Sequence, residues 1–179
     1  MTIYIVRHGE TVENNAKILQ GHLPGHLTEQ GKAQVGTTAN ALAEMNVPFD
    51  VIVSSDLQRA VDSADIIARR LQLTVETTPL LRERDWGEFT GMTADEAAKR
   101  FRIDGQWRFP DGTVETEEEI YVRATNALAY LQQHYEGKTV IVVTHGQFAR
   151  NLLAVYHHTT FRDEPTLANA EIRVITCPR

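Results

Sequence analysis

The sequence predicts an α/β domain on a mostly parallel sheet, and three observations carry that prediction. Short β-branched runs alternate with longer stretches whose apolar residues recur at helical spacing. The strongest runs (Ile3-Tyr4-Ile5-Val6, Val51-Ile52-Val53 and Val140-Ile141-Val142-Val143) read as continuous, the pattern of strands covered on both faces. No internal repeat, low-complexity tract or Pro/Ser-rich linker divides the 179 residues, a length that fits one domain with a real core.

Taken in order, the first strand is Ile3 to Val6. Thr28 then has the chemistry of an N-cap for a helix reaching about Met45, with Gly36, Ala39 and Ala43 as a small-residue packing face. After the Val51 strand, Ala60, Ala64, Ile67 and Leu71 mark a helix from about Leu57 to Leu71. Thr74-Val75-Glu76-Thr77 is a weaker strand. Ile120, Ala124, Leu128 and Leu131 mark a helix from Glu117 to Tyr135, and the acidic stretch 115–119 suits its positive N-terminal end. That stretch reads most simply as a solvated helix start. A last helix is predicted from Phe148 to Tyr156, followed by a weak strand, Ile172-Arg173-Val174-Ile175.

Charge and cysteine content narrow the function. Eighteen basic against 24 acidic residues give a net charge of −6 with no basic run, which argues against a nucleic-acid or anionic-membrane partner while leaving room for a local basic pocket. The only cysteine, Cys177, has no partner for an internal disulfide, so a reducing compartment is expected. The apolar start ends at Arg7, too short for a signal-peptide core or a membrane span, and the expected location is cytoplasmic.

In parallel sheets ligands gather beyond the carboxyl ends of the strands, and four segments of this chain lie there. Arg7-His8-Gly9-Glu10-Thr11 follows the first strand, and Thr144-His145-Gly146 follows the Val140 strand. One His-Gly at a strand end is usually a turn; a matched pair is a much stronger signal, and the glycines allow close backbone approach. Ser54-Ser55-Asp56-Leu57-Gln58-Arg59-Ala60 runs from a strand into a helix, where Arg59 could add bidentate phosphate recognition to a helix N-terminus. Alone, Arg59 would read as an ordinary surface arginine. Residues 80–89 mix charges, aromatics and glycine in a way that makes a poor helix or strand and a good functional loop.

With Arg7-His8-Gly9-Glu10-Thr11 and Asn14, then Gln20-Gly21, Leu27-Thr28-x-x-Gly31-x-x-Gln34, Ser54-Ser55-x-Leu57-x-Arg59-Ala60, Leu81-x-Glu83 with Gly87-Glu88, and Thr144-His145-Gly146, the chain resembles the histidine phosphatases of the phosphoglycerate-mutase-like superfamily. The resemblance implies a three-layer α/β/α fold over residues 1–179, with a small cap-like insertion around 86–116. It implies that His8 is the nucleophile, that Arg7, Arg59 and His145 form the phosphate pocket, and that Glu83 is the proton donor. Asn14, Gln20, Gly21 and Gly146 would line phosphate or substrate. The implied reaction is hydrolysis of a small phosphorylated metabolite through phosphohistidine, with no cofactor and no metal. The oligomeric state stays open, a homodimer being one option.

Such residues suit the chemistry. Phosphoryl transfer needs an in-line nucleophile, stabilisation of the equatorial oxygens and help for the leaving oxygen. Neighbouring arginines should keep His8 neutral and nucleophilic. His22 and His26 bracket Leu23-Pro24-Gly25, a loop and not a metal-binding helix face, and His157-His158 is expected to be exposed beyond the last helix.

The alternative within the family is a phosphoglycerate mutase. The short stretch from Glu83 to His145, Gln20 where mutases commonly carry threonine, and the short tail after His145 favour hydrolysis. A non-catalytic phosphate-binding module is the alternative from another class, and the intact His8, Glu83 and His145 argue against it. On the substrate side, Gly112-Thr113-Val114-Glu115-Thr116 departs from the family's Gly-Gly-Glu-Ser-like string, which puts a substrate contact by Glu115 in doubt. Trp86, Phe89, Trp107 and Phe109 with Arg82, Arg84, Arg102 and Arg108 form either an aromatic, cationic substrate rim or the core of a small cap.

Overall fold

A computed structural model describes residues 1–104, 106–110 and 112–177, with the side chains of Gln106 and Trp107 outside the described set. Its main sheet has the order β3-β2-β6-β1-β7, built from β1 (Thr2–Arg7), β2 (Val51–Ser55), β3 (Val75–Thr78), β6 (Thr139–Thr144) and β7 (Ile172–Thr176). The first four strands run parallel and β7 joins β1 antiparallel. The sheet is mixed and mostly parallel, and all five runs read as strands are in it.

Alternation within each strand explains the two covering layers. Ile3, Ile5, Val53, Val140 and Val142 face α5 (Glu117–His134) and α6 (Gly146–His157), meeting Ile120, Leu131, Phe148 and Leu152. Val6, Ile52, Ile141 and Val143 face the other way, onto α2 (Glu29–Glu44) and α3 (Gln58–Leu71) through Val35, Leu42, Ala60 and Ile67. Thr28 caps α2 by accepting from Gly31 N. Thr116 caps α5 in a capping box with Glu119, so part of the acidic stretch is terminus chemistry.

One helix face is corrected. Ala39 is buried as expected, but Gly36 has nothing within 4 Å of where a Cβ would stand and Ala43 is only half-buried; the buried face of α2 is Gly31, Val35, Thr38, Ala39 and Leu42. The buried stripe starts at the capped end because that end receives the loop after β1. A Cβ on Gly9 would lie 2.5 Å from Gly31 O, and a Cβ on Gly31 2.1 Å from Glu10 O. The two glycines let the loop and the helix touch backbone to backbone.

Between β3 and α5 lie two elements that periodicity did not reveal: α4 (Ala94–Phe101), and a two-stranded ribbon of β4 (Arg102–Ile103) and β5 (Gln106–Trp107). Thr11 and Asn14 cap a single turn, α1 (Val12–Asn15), which also went unread. Phe89, Ala97 and Val114 form a small separate core, with Trp86, Phe101 and Phe109 packed against it. His157 is the last residue of α6 and meets Glu164 at 2.9 Å, so it is partnered as well as exposed.

In an ordinary helix Gly→Ala stabilises by about 0.5–1 kcal/mol. Gly31→Ala should do the opposite, because overpacking against a backbone carbonyl costs about 1–3 kcal/mol or more. A lowered urea midpoint is the expected result.

Candidate active site

The parallel register pairs Arg7 with Thr144, so the residues that follow, His8 and His145, emerge side by side with ring centroids 5.2 Å apart. His8 N extends the ladder by donating to Thr144 O at 2.9 Å. Both rings are buried, at 2% and 0% exposure.

Two contacts determine where the proton on His8 sits. Nδ1 lies 2.7 Å from Gly9 O, which can only accept, so Nδ1 carries the hydrogen. Nε2 lies 3.3 Å from Arg59 Nε, whose N–H can only donate, so Nε2 presents its lone pair. Burial first, then Arg59 and Arg7, hold His8 well below the usual imidazole range. The ring is neutral with a free-electron nitrogen facing a guanidinium.

Arg59 is 1% exposed, and carbonyls anchor it: Gly21 O accepts from Nη2 at 2.9 Å, and Leu23 O from Nη1. Burial is the main cause that lowers it to about 10, which leaves it charged at neutral pH. Gly21 can aim its carbonyl there because its backbone is left-handed (φ +47°). The loop is tied again by Arg59 N donating to Pro24 O at 3.0 Å. Ser63 links α3 to the loop after β1, accepting from Gly9 N at 3.1 Å and donating to Arg59 O at 2.7 Å.

Arg7 donates from Nη1 to Leu167 O at 2.7 Å and lies over Gly146, where a Cβ would come within 3.3 Å of its guanidinium carbon. His145 Nε2 meets Ser55 Oγ at 2.8 Å, and Ser55 Oγ also accepts from Leu57 N at 3.3 Å. Where the hydroxyl gives its proton to Nε2, Nδ1 of His145 carries the hydrogen; where it accepts from Nε2, Nδ1 presents a lone pair. Among the described residues, the buried side-chain N and O atoms without a partner are Arg7 Nε, His145 Nδ1 and Gln20 Oε1. Two of the three are nitrogens of the predicted phosphate pocket, and a buried unpaired donor is costly unless something arrives to accept from it.

Glu83 reaches the same place from the loop after β3. Its Oε1 accepts from Arg84 N at 2.9 Å and Phe148 N at 3.0 Å, while among the described residues Oε2 accepts only from Gln147 N, at 3.2 Å. The carboxyl therefore rests on the N-terminus of α6, a turn away from His145. Arg123, missed in the sequence, holds this loop. It donates to Arg82 O at 2.7 Å, Leu80 O at 3.1 Å and Glu83 O at 3.2 Å, and it grips Glu115 with Nε at 2.8 Å and Nη2 at 2.7 Å. Glu115 also accepts from Asp85 N at 3.0 Å. In this chain Glu115 braces residues 80–85. Glu115 precedes the Thr116 cap of α5 and stands eight positions from Arg123, so no i, i+4 spacing marked the pair in the sequence.

Of the other candidates, Asn14 stands at the start of α1 and Gln20 is buried, its Oε1 beside Gly25 and Arg59. His22 Nε2 donates to Glu83 O at 3.0 Å, and His26 lies 3.6 Å from Glu13. Among the described residues no three His, Cys, Asp or Glu side chains are grouped to hold a metal ion. None of their helices is long and apolar enough to cross a membrane.

A cleft of about 1090 Å³ adjoins Glu83 and Gly146 through their neighbours Arg84 and Gln147. Arg84 is 7% exposed, stacked 4.6 Å over Trp86 and 5.9 Å over Phe109, with Nε donating to Glu115 O at 2.7 Å. Across the cleft, Phe161 lies between Arg150 and Arg162, and Arg162 pairs with Glu117 at 2.8 Å. The expected rim is thus corrected in part. Arg84, Trp86 and Phe109 line the cleft. Phe89 is core, Arg82 is paired with Asp56 at 2.6 Å, Arg102 and Arg108 are not among the lining residues, and the Trp107 side chain lies outside the described set. The residues after α6 supply the far wall, a contribution not anticipated from the length of that segment.

Residues 3–179 match the sequence model of the histidine phosphatase superfamily (branch 1). A phosphoglycerate mutase-like protein 4 of Arabidopsis thaliana is 35% identical over 159 residues, 84% of this chain and 68% of that protein. A metal-independent phosphoserine phosphatase of the same plant is 33% identical over 183 residues, covering 97% of this chain and 75% of that one. The solved structure of a mycobacterial glucosyl-3-phosphoglycerate phosphatase complexed with VO3 superimposes with a TM-score of 0.84 at 26% identity, covering 98% of this chain and 92% of that one.

Two outcomes test this geometry. His8 and His145 are both held below the unfolded imidazole value, near 6.5. Below that value the unfolded chain takes up protons that the folded chain refuses, so stability falls as pH falls. Between pH 7.5 and 5.5 each histidine should remove about 1.4 kcal/mol, read by urea unfolding, and His8→Asn should halve the drop. Arg123→Met should strand Glu115 and cost about 2–4 kcal/mol in the same assay, the upper part of that range being reserved for full burial.

Proposed function

We propose that this chain, which belongs to the histidine phosphatase superfamily (branch 1), is a metal-independent phosphomonoesterase working through phosphohistidine on His8. One observation carries the reading: a neutral His8 with its Nε2 lone pair free of any proton, set beside buried nitrogens of Arg7 and His145 that have no partner.

The steps follow from the geometry. A phosphate monoester places its oxygens on Arg7, Arg59 and His145, with Asn14 as a further donor. Arg59 Nε, in a long contact with the ring nitrogen, moves its hydrogen bond to a phosphoryl oxygen. His8 Nε2 attacks phosphorus as the P–O bond to the leaving group breaks, and the departing oxygen takes a proton from Glu83. The proton belongs on Oε2, since Oε1 already accepts two N–H groups and Oε2 one. Glu83, now a carboxylate, takes a proton from a water that attacks phosphorus and breaks the P–N bond. Phosphate leaves, and both side chains return to their starting forms. The guanidiniums supply the charge stabilisation that a metal supplies elsewhere, each contact contributing about 2.7–4 kcal/mol on the scale of one oxyanion-hole donor.

The cleft lined by Arg84, Trp86, Phe161 and Arg162 takes the leaving group. Among the described residues, buried Arg84 has no carboxylate within ion-pair distance, and such a charge favours a ligand that brings the opposite one. A small phosphorylated metabolite with a second acidic group fits, as do the names of relatives that act on phosphoserine or a phosphoglycerate.

His8→Ala should abolish release of p-nitrophenol from p-nitrophenyl phosphate, and chelators should leave the wild-type rate intact. Full activity in His8→Ala sinks the nucleophile; strong loss on chelation sinks the metal-free reading. Glu83→Gln should lower kcat by about 10²–10⁴-fold with an alkyl phosphate, and less with p-nitrophenyl phosphate, whose leaving group needs little protonation. Phosphoryl transfer between phosphoglycerates without phosphate release would support the mutase instead.

A further inference from the structure

A short segment after α6 is bonded to the nucleophile's strand at several points. Leu167 O accepts from Arg7, Ala170 N donates to Arg7 O at 3.0 Å and to His8 O at 3.2 Å, and Thr38 Oγ1 donates to Ala170 O at 2.7 Å. Ala170 is held in the left-handed region (φ +59°), a backbone state that a residue with a Cβ keeps only where its surroundings impose it. Among these residues Asn169 does something a spacer would not. One atom of its amide lies 3.1 Å from His8 O and 3.3 Å from an atom of the Asn14 amide.

The identities of those atoms follow without reference to electron density. His8 O is a carbonyl and only accepts, so the Asn169 atom facing it is Nδ2. The Asn14 atom facing that Nδ2 must then accept, so it is Oδ1. Thr11 N–H, which can only donate, lies 3.1 Å from the same Asn14 oxygen and gives the same answer independently. Asn14 Oδ1 is therefore engaged twice, and its Nδ2 has no acceptor among the described residues.

We propose that Asn169 is a positioning residue for the phosphate site: by donating to Asn14 Oδ1 it commits that oxygen to the protein and leaves the Asn14 NH₂ as the group offered to the phosphoryl oxygens. The inference rests on the phosphate site proposed above. Turned over, Asn14 would offer an oxygen to an oxyanion and repel it. Thr11 N–H alone favours the productive orientation, and Asn169 makes the reverse orientation a donor–donor clash as well. Its second hydrogen bond, to His8 O, ties the same amide to the nucleophile's own backbone, so the two groups keep one relative placement.

The test compares Asn169→Ala and Asn169→Asp, alone and combined with Asn14→Ala, by orthovanadate affinity and by kcat/KM for p-nitrophenyl phosphate. Asp keeps the shape of Asn but replaces the donor with acceptors, which draws the Asn14 NH₂ towards itself. Asn169→Asp should weaken vanadate binding about tenfold or more, and Asn169→Ala by less, with both losses shrinking to about twofold once Asn14 is alanine. A packing role alone predicts the reverse order, Ala worse than the isosteric Asp, and equal losses in both backgrounds; either result overturns the proposal. Thermal unfolding checks that each variant folds, and if Asn169→Asp does not, the Ala cycle reads the same coupling. Vanadate binding needs no turnover. A wild type that binds vanadate and hydrolyses nothing defeats the phosphatase reading while the cycle still reports on Asn169; a wild type that hydrolyses p-nitrophenyl phosphate with an additive cycle defeats this inference alone.

Discussion

The pairing of β1 with β6 is the constraint from which the site follows. Because the strands are parallel and Arg7 stands opposite Thr144, both histidines leave the sheet at the same edge and on the same level. A slip of one residue would turn His8 or His145 to the opposite face and move Val6 and Val143 out of the layer they share with α2 and α3. The apolar alternation that builds the core is therefore also what sets the distance between the two rings. Stability and site geometry rest on the same register.

Holding positive charge inside this edge is the second requirement. Carbonyls anchor Arg59 and Arg7, at Gly21 and Leu23 for one and at Leu167 for the other, Arg7 Nε is left without a partner, and among the described residues neither has a carboxylate in salt-bridge contact. Neutral acceptors keep a guanidinium in place without cancelling its charge, which suits the phosphate binding proposed for this site. Acid–base partners that are fully paired lie farther out, where Arg123 and Glu115 stiffen the loop under Glu83. Rigid pairing supports the loop, and incomplete pairing is kept for the pocket.

Much of this was legible from residue order. The five strands of the main sheet, the four long helices and the Thr28 cap follow from periodicity and terminus chemistry, and their ends moved by one or two residues, where the last turns fray. Residues 86–116 resisted reading because α4 has eight residues and the β4–β5 ribbon only two per strand, too short for a period to show. The α2 packing face was misread because small residues there suggested a close neighbour. The close neighbour is the loop after β1, which meets Gly31, five residues before Gly36.

By itself the sequence determined the fold class, the two strand-end histidines, Arg59 at a helix start and Glu83 in a charged loop. These are local facts, carried by composition and spacing within a few residues. Only the tertiary structure decided which nitrogen of His8 faces Arg59, which backbone amides meet the Glu83 carboxyl, and which parts of the chain brace them. Arg123 and Asn169 had no local pattern to announce them, since the backbone carbonyls they bind lie about 40 to 160 positions away, and Phe161 lines a cleft whose other wall comes from distant parts of the chain. Proton placement and amide orientation depend on donors and acceptors brought together across the sheet, and no stretch of sequence contains both halves of such a contact.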